Sequence, residues 1–130
     1  MKTTAAVRMY AFGILLALVS VAASASELAY DKAQYERALA QGKPVVVDFS
    51  ASWCPTCKAQ KPIVTNLLLE PRFKDLTVFV ADYDTEASLK KQLRITQQST
   101  FVVFKGGQEV ARSTGQTERG AIVDLFAKAL

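Results

Sequence analysis

The stretch Val45-Val46-Val47-Asp48-Phe49-Ser50-Ala51-Ser52-Trp53-Cys54-Pro55-Thr56-Cys57 decides the fold. Its first five residues form a short, nearly continuous apolar run, the pattern of a parallel strand buried on both faces. Its last residues open a helix predicted over 55–69, where Pro55 suits the first turn because no helical hydrogen bond is lost there. Two cysteines therefore sit at a junction from buried strand to helix. Reactive groups gather at the carboxyl ends of parallel strands. The first turn of a helix offers unpaired N–H groups and a partial positive charge. Both favour a thiolate. Cys54 is expected to be the exposed residue at the helix start, with its pKa below that of an ordinary thiol. Cys57, one turn inside, is expected to be more buried and to resolve a mixed disulfide.

Working outward, the chain alternates between helical and strand periods. Residues 31–41 read as a helix, with Asp31 as N-cap, Tyr35 and Leu39 one turn apart, and Gly42 as the stop. In the helix after the cysteines, Ala59, Ile63 and Leu67 share a face, Val64 and Leu68 lie beside it, and Pro62 is expected to introduce a kink. Leu76 to Ala81 reads as a second buried strand, and 86–94 as a helix with Leu89 and Leu93 paired. Phe101 to Phe104, the turn Gly106-Gly107 and Gln108 to Ser113 form a hairpin. Residues 117–129 close the chain as a helix with Ile122, Leu125, Phe126 and Ala129 inward. The order αβαβαββα implies a mixed α/β sheet with a parallel core and an antiparallel C-terminal hairpin, flanked by helices.

Composition narrows the chemistry. A chain of 130 residues, half of them hydrophobic, supports one domain. The net charge of +4 includes Lys2 and Arg8 at the N-terminus, and the remaining Lys and Arg are scattered, so nucleic-acid binding has little support. The absence of histidine excludes a Cys/His hydrolase and His-containing zinc sites. A structural disulfide or two inert core cysteines leave the strand-to-helix placement unexplained. Half of a zinc site would need two further ligands, and the chain has no third cysteine.

The N-terminus reads as a cleavable export signal over residues 1–25, ahead of a single domain over 26–130. Lys2 and Arg8 form its positive region, Ala11 to Val21 its apolar stretch, and Ala23-Ser24-Ala25 its cleavage pattern. A retained membrane anchor is the alternative, and its 17-residue apolar run, Met9 to Ala25, is at the short end of the ~17–25 needed to span a bilayer. Export places both cysteines in an oxidising compartment, the periplasm in a Gram-negative cell.

These residues resemble the thioredoxin family over nearly all of 30–130. Lys43-Pro44-Val45-Val46-Val47-Asp48-Phe49 is similar to its central strand, and Ala51 to Lys58, with Cys54-Pro55-Thr56-Cys57, to its active-site motif. Pro62 matches the proline of its active-site helix, Thr100 to Gly107 its hairpin, and Gly115 a further glycine. The resemblance implies the fold, disulfide exchange and no bound cofactor. It assigns Cys54 as attacking thiol and Cys57 as resolving thiol, with Trp53, Pro55, Thr56, Ser99 and Thr100 docking substrate or tuning the pair. Asp48 is an acid in an apolar strand, where desolvation raises its pKa. The family uses an acid at this position to take the resolving thiol's proton; the plainer alternative is a partly solvated carboxylate capping a neighbour. Val80 stands where the family often has a lysine near this acid. Ser99 stands at the place of the family's cis-proline. Gln98–Ser99 is therefore expected either trans in a reshaped loop or cis and strained, since a non-proline cis bond costs about 2.5–4 kcal/mol.

Pro55-Thr56 supplies no charge to stabilise a reduced thiolate, so a potential of about −200 to −270 mV is expected, in the reducing half of the range. The expected function is a protein-disulfide reductase, a monomer acting on protein thiols and disulfides. The family resemblance implies a membrane thiol transporter as electron source. The Cys-Pro-Thr-Cys pair is also similar to exported thioredoxins that reduce apocytochrome cysteines. An oxidase or isomerase is the alternative within the class. Ser99 keeps open a reading outside it, a non-catalytic binding protein or dithiol metal carrier.

Overall fold

A computed structural model describes residues 19, 20 and 22–130. The positive region of the expected signal and nearly all its apolar stretch lie outside those residues.

The described chain forms five strands and four α-helices. In order these are β1 (Ser26–Ala29), α1 (Lys32–Ala40), β2 (Val45–Ser50), α2 (Pro55–Leu67), β3 (Thr77–Asp82), α3 (Ala87–Leu93), β4 (Thr100–Lys105), β5 (Gln108–Thr114) and α4 (Arg119–Ala127), with a 3-10 turn at Pro71–Phe73. The sheet order is β1-β3-β2-β4-β5. β1, β3 and β2 run parallel, and β4 and β5 return antiparallel as the expected hairpin.

β1 is a strand the sequence reading did not anticipate. Ser-Glu-Leu-Ala has neither an apolar run nor a β-branched residue to announce it. It exists because β3 offers a free edge, on which Ser26 to Ala29 pair with Thr77 to Val80. The other elements fall where periodicity placed them, within about two residues at their ends. Asp31 caps α1, its carboxylate accepting the Gln34 N–H at 2.9 Å, and Gly42 follows the helix at φ +66.

Alternation along β2 divides the core. Val45, Val47 and Phe49 face α1 and α3, where Tyr35 packs edge-on against Phe79 and Phe104. Val46 faces α2 and α4, with Phe101 set edge-to-face on Phe126 at 5.1 Å. By the same alternation Asp48 lies on the α2 side.

α2 is rotated from the expected face. Cys57, Gln60, Val64 and Leu67 are buried, Ile63 is half-buried, and Ala59 is exposed. A glutamine takes the inward position because its amide finds partners there. The helix continues through Pro62.

Candidate active site

β2 ends at Ser50, the chain turns through Ala51 to Trp53, and α2 begins at Pro55, so Cys54 becomes the N-cap of α2. Its extended backbone turns the side chain back over the first helical turn, where Sγ accepts the Cys57 N–H at 3.1 Å. The same turn brings the two Cα atoms to 5.3 Å, and Cys54 and Cys57 are disulfide-bonded. One of the helix's unpaired donors is thus aimed at the sulfur that would carry charge on reduction.

Cys54 is not the exposed residue expected from its place in the chain. It is 0% exposed and Cys57 6%, both packed with Ala51 and the half-buried Tyr83. Capping draws the sulfur inward, and pairing with Cys57 holds it there. The exposed residue is Trp53, at 54%, whose indole Nε1–H donates to Asp84 Oδ2 at 2.9 Å. Pro55 is exposed and Thr56 half-buried beside the disulfide.

Asp48 lies one layer below α2. Val80 stands opposite it on β3 and Phe101 on β4. The residue is 8% exposed, and its Oδ1 has no hydrogen-bond partner. Burial raises its pKa to about 7; the charge of Glu27 pushes the same way and Lys61 opposes it. The alternative of a solvated, capping carboxylate does not fit this environment.

Ser99 resolves the choice left open at the cis-proline position. There is no cis peptide among the described residues, and Ser99 adopts φ +54. Its N–H donates to Phe49 O at 2.7 Å, its carbonyl accepts from Gly115 N–H at 2.9 Å, and its hydroxyl donates to Gln98 O at 2.6 Å. Thr100 is buried next to it; its hydroxyl donates to Gln97 O at 2.9 Å and lies 2.8 Å from the Thr114 hydroxyl.

Three groups escaped the sequence reading. Gln60, 1% exposed, donates Nε2 to Ser99 O at 3.3 Å and to Gln116 O at 2.9 Å, linking the helix of the cysteines to the Ser99 loop. Its signal was available, since it lies three residues after Cys57 on the face shared with Val64 and Leu67. Tyr83, which packs on the cysteines, and the Glu27–Lys61 pair had no local signal. Among the described residues, no group of three or more His, Cys, Asp or Glu side chains is placed to hold a metal ion.

A sequence model of the family described as Thioredoxin matches residues 26–128. The chain belongs to the thioredoxin family. It is 36% identical over 85 residues to a thioredoxin of Mycobacterium tuberculosis, covering 65% of this chain and 72% of that one. It is 33% identical over 93 residues to a bifunctional thioredoxin reductase/thioredoxin of Mycobacterium leprae, of which the match spans 20%. In structure it is similar to Trxlp from Edwardsiella tarda, with TM-score 0.75, 41% identity and coverage of 77% of this chain and 97% of that one. For this thioredoxin-family protein, a cysteine pair within disulfide reach supports thiol–disulfide oxidoreductase chemistry in general.

Proposed function

We propose that the protein is an exported protein-disulfide reductase, working as a monomer in the periplasm and recharged by a membrane thiol transporter. The observation that carries the chemistry is the Cys57 N–H aimed at Cys54 Sγ at the start of α2. The Cys54 thiolate attacks one sulfur of a substrate disulfide, forming a mixed disulfide and releasing the first substrate thiolate. Cys57 then gives its proton to the Asp48 carboxylate and attacks Cys54 Sγ. The second substrate thiolate leaves, and the protein is left with its Cys54–Cys57 disulfide. Two electrons pass to the substrate, and the donor must return them. An acid whose pKa is about 7 suits this exchange near neutrality, since both of its protonation states are populated there. Trp53, exposed beside the pair, supplies an apolar surface for the substrate chain.

The export reading is supported by Lys2, Arg8, the apolar stretch and Ala23-Ser24-Ala25. The reducing direction is supported by the uncharged Pro55-Thr56. Equilibration of the pair against glutathione tests it. A potential between about −200 and −270 mV, with turnover of a protein disulfide, bears the proposal out. A value near −120 mV makes the protein an oxidase. A disulfide resistant below about −300 mV, without turnover, favours the non-catalytic binding protein.

A further inference from the structure

The neighbours of Asp48 on adjacent strands, Val80 and Phe101, carry no charge. Charged groups near Asp48 on this side of the sheet come from β1, α2 and β3; those of α4, Arg119 and Asp124, are exposed. β1 contributes Glu27, α2 contributes Lys58 and Lys61, and β3 contributes Asp82 near its end. Lys61 Nζ meets Glu27 Oε1 at 3.1 Å, and the Thr65 hydroxyl donates to Glu27 Oε2 at 3.2 Å. The anchored member of the pair is the carboxylate, whose side chain is 21% exposed against 71% for the lysine.

Two clefts share Lys61 and Val80 as walls. One, of about 390 Å³, also reaches Cys57, Lys58 and Asp82. The other, of about 400 Å³, reaches Glu27, Leu28 and Ala29. The surface is therefore continuous from the resolving cysteine, past Lys61 over Val80, to Glu27. Val80 is the residue paired with Asp48. The Glu27–Lys61 pair thus lines the clefts beside Val80, the strand neighbour of Asp48, whose Oδ1 has no hydrogen-bond partner.

We propose that the Glu27–Lys61 pair is a positioning device that adjusts the proton affinity of Asp48. Glu27 opposes the carboxylate form of Asp48, and Lys61 favours it. Glu27 is the less exposed and so the less screened of the two, and its influence on Asp48 is the larger. Burial is the main reason that Asp48 holds its proton toward neutrality; the pair adjusts that affinity, Glu27 upward and Lys61 downward. The proposal rests on the reading of Asp48 as proton acceptor for Cys57.

The test is a carboxyl NMR titration of Asp48 in the oxidised full-length protein, with Asp48→Asn to assign the signal. It is paired with the pH profile of single-turnover substrate reduction. Glu27→Gln is expected to lower the titration midpoint and Lys61→Met to raise it, with the rate profiles moving in the same directions. Lys61→Arg, which keeps the charge, is expected to retain the wild-type midpoint and guards against misfolding of the methionine variant. Midpoints unmoved in both charge-removing variants overturn the proposal and leave the reductase reading standing. Midpoints that move while the rate profiles stay fixed overturn the role of Asp48 as acceptor, and the catalytic half of the proposal with it.

Discussion

Ser99 holds a left-handed backbone without being glycine, at a cost of roughly 1–2 kcal/mol. Three hydrogen bonds to its N–H and carbonyl keep it there, from β2, from Gly115 and from Gln60. Ser99→Gly is therefore expected to raise stability by up to about 1 kcal/mol in urea unfolding. Ser99→Pro removes the N–H bonded to Phe49 O and cannot adopt φ +54, so a loss of about 3 kcal/mol is expected. A proline variant as stable as wild type would show that the loop had been rebuilt. At Asp48 the sign of the pH dependence follows from its raised pKa. Between the ordinary carboxyl range near ~4 and its own value of about 7, the folded state holds a proton that the unfolded chain has lost. Stability contributed by this group therefore falls as pH rises through that window. With ionisation complete, the penalty is on the order of 4 kcal/mol. Asp48→Asn is expected to flatten the stability profile from pH 4 to 8 and to slow mixed-disulfide resolution. An unchanged slope in denaturant titrations would refute the assignment.

At the scale of elements, α2 does two jobs, and Gln60 is where they meet. The helix packs on the sheet through Val64 and Leu67, and it ties the Ser99 loop and the start of the segment leading to α4 through one amide. That amide leaves its own Oε1 buried without a partner. Gln60→Leu thus exchanges two hydrogen bonds for relief of one orphaned oxygen. The net loss is expected to be about 1 kcal/mol. The local effect is larger than the global one: hydrogen exchange at the Ser99 and Gly115 N–H groups is expected to speed up, and unchanged protection would count against the link. The hairpin shows a related constraint. A Cβ on Gly107, at φ +77, would lie 2.9 Å from Leu39 O, so the turn between β4 and β5 needs glycine where it meets the end of α1.

For the whole molecule, stability rests on the two packed faces of the sheet and little on the disulfide. The bridge closes a very short loop, which restricts the unfolded chain by only about 2 kcal/mol. The fold is therefore expected to persist when the pair is reduced, as a shuttle of electrons requires. Phe126 is fully buried against Phe101 in the layer beneath α4. Phe126→Ala is expected to cost about 3–5 kcal/mol in thermal or urea unfolding, more than reduction of the disulfide costs. A larger loss on reduction than on this truncation would mean that the bridge is structural.

The sequence alone determined the strand-to-helix junction at Cys54 and Cys57, the alternation of helices and strands after residue 30, the C-terminal hairpin and the buried acid in β2. These are carried by nearest neighbours along the chain: apolar periods, capping residues, glycine turns and the lone pairs of cysteines and carboxyls. Tertiary structure decided the rest. β1 forms because β3 has an edge to offer, and its own four residues do not announce a strand. Cys54 is covered because capping and pairing turn its sulfur inward. Gln60 meets Ser99 across 39 positions, and Lys61 meets Glu27 across 34. No local period encodes such meetings. They exist only once the chain has returned on itself, when a buried amide or an edge carboxylate must find whatever partner the packing brings within reach.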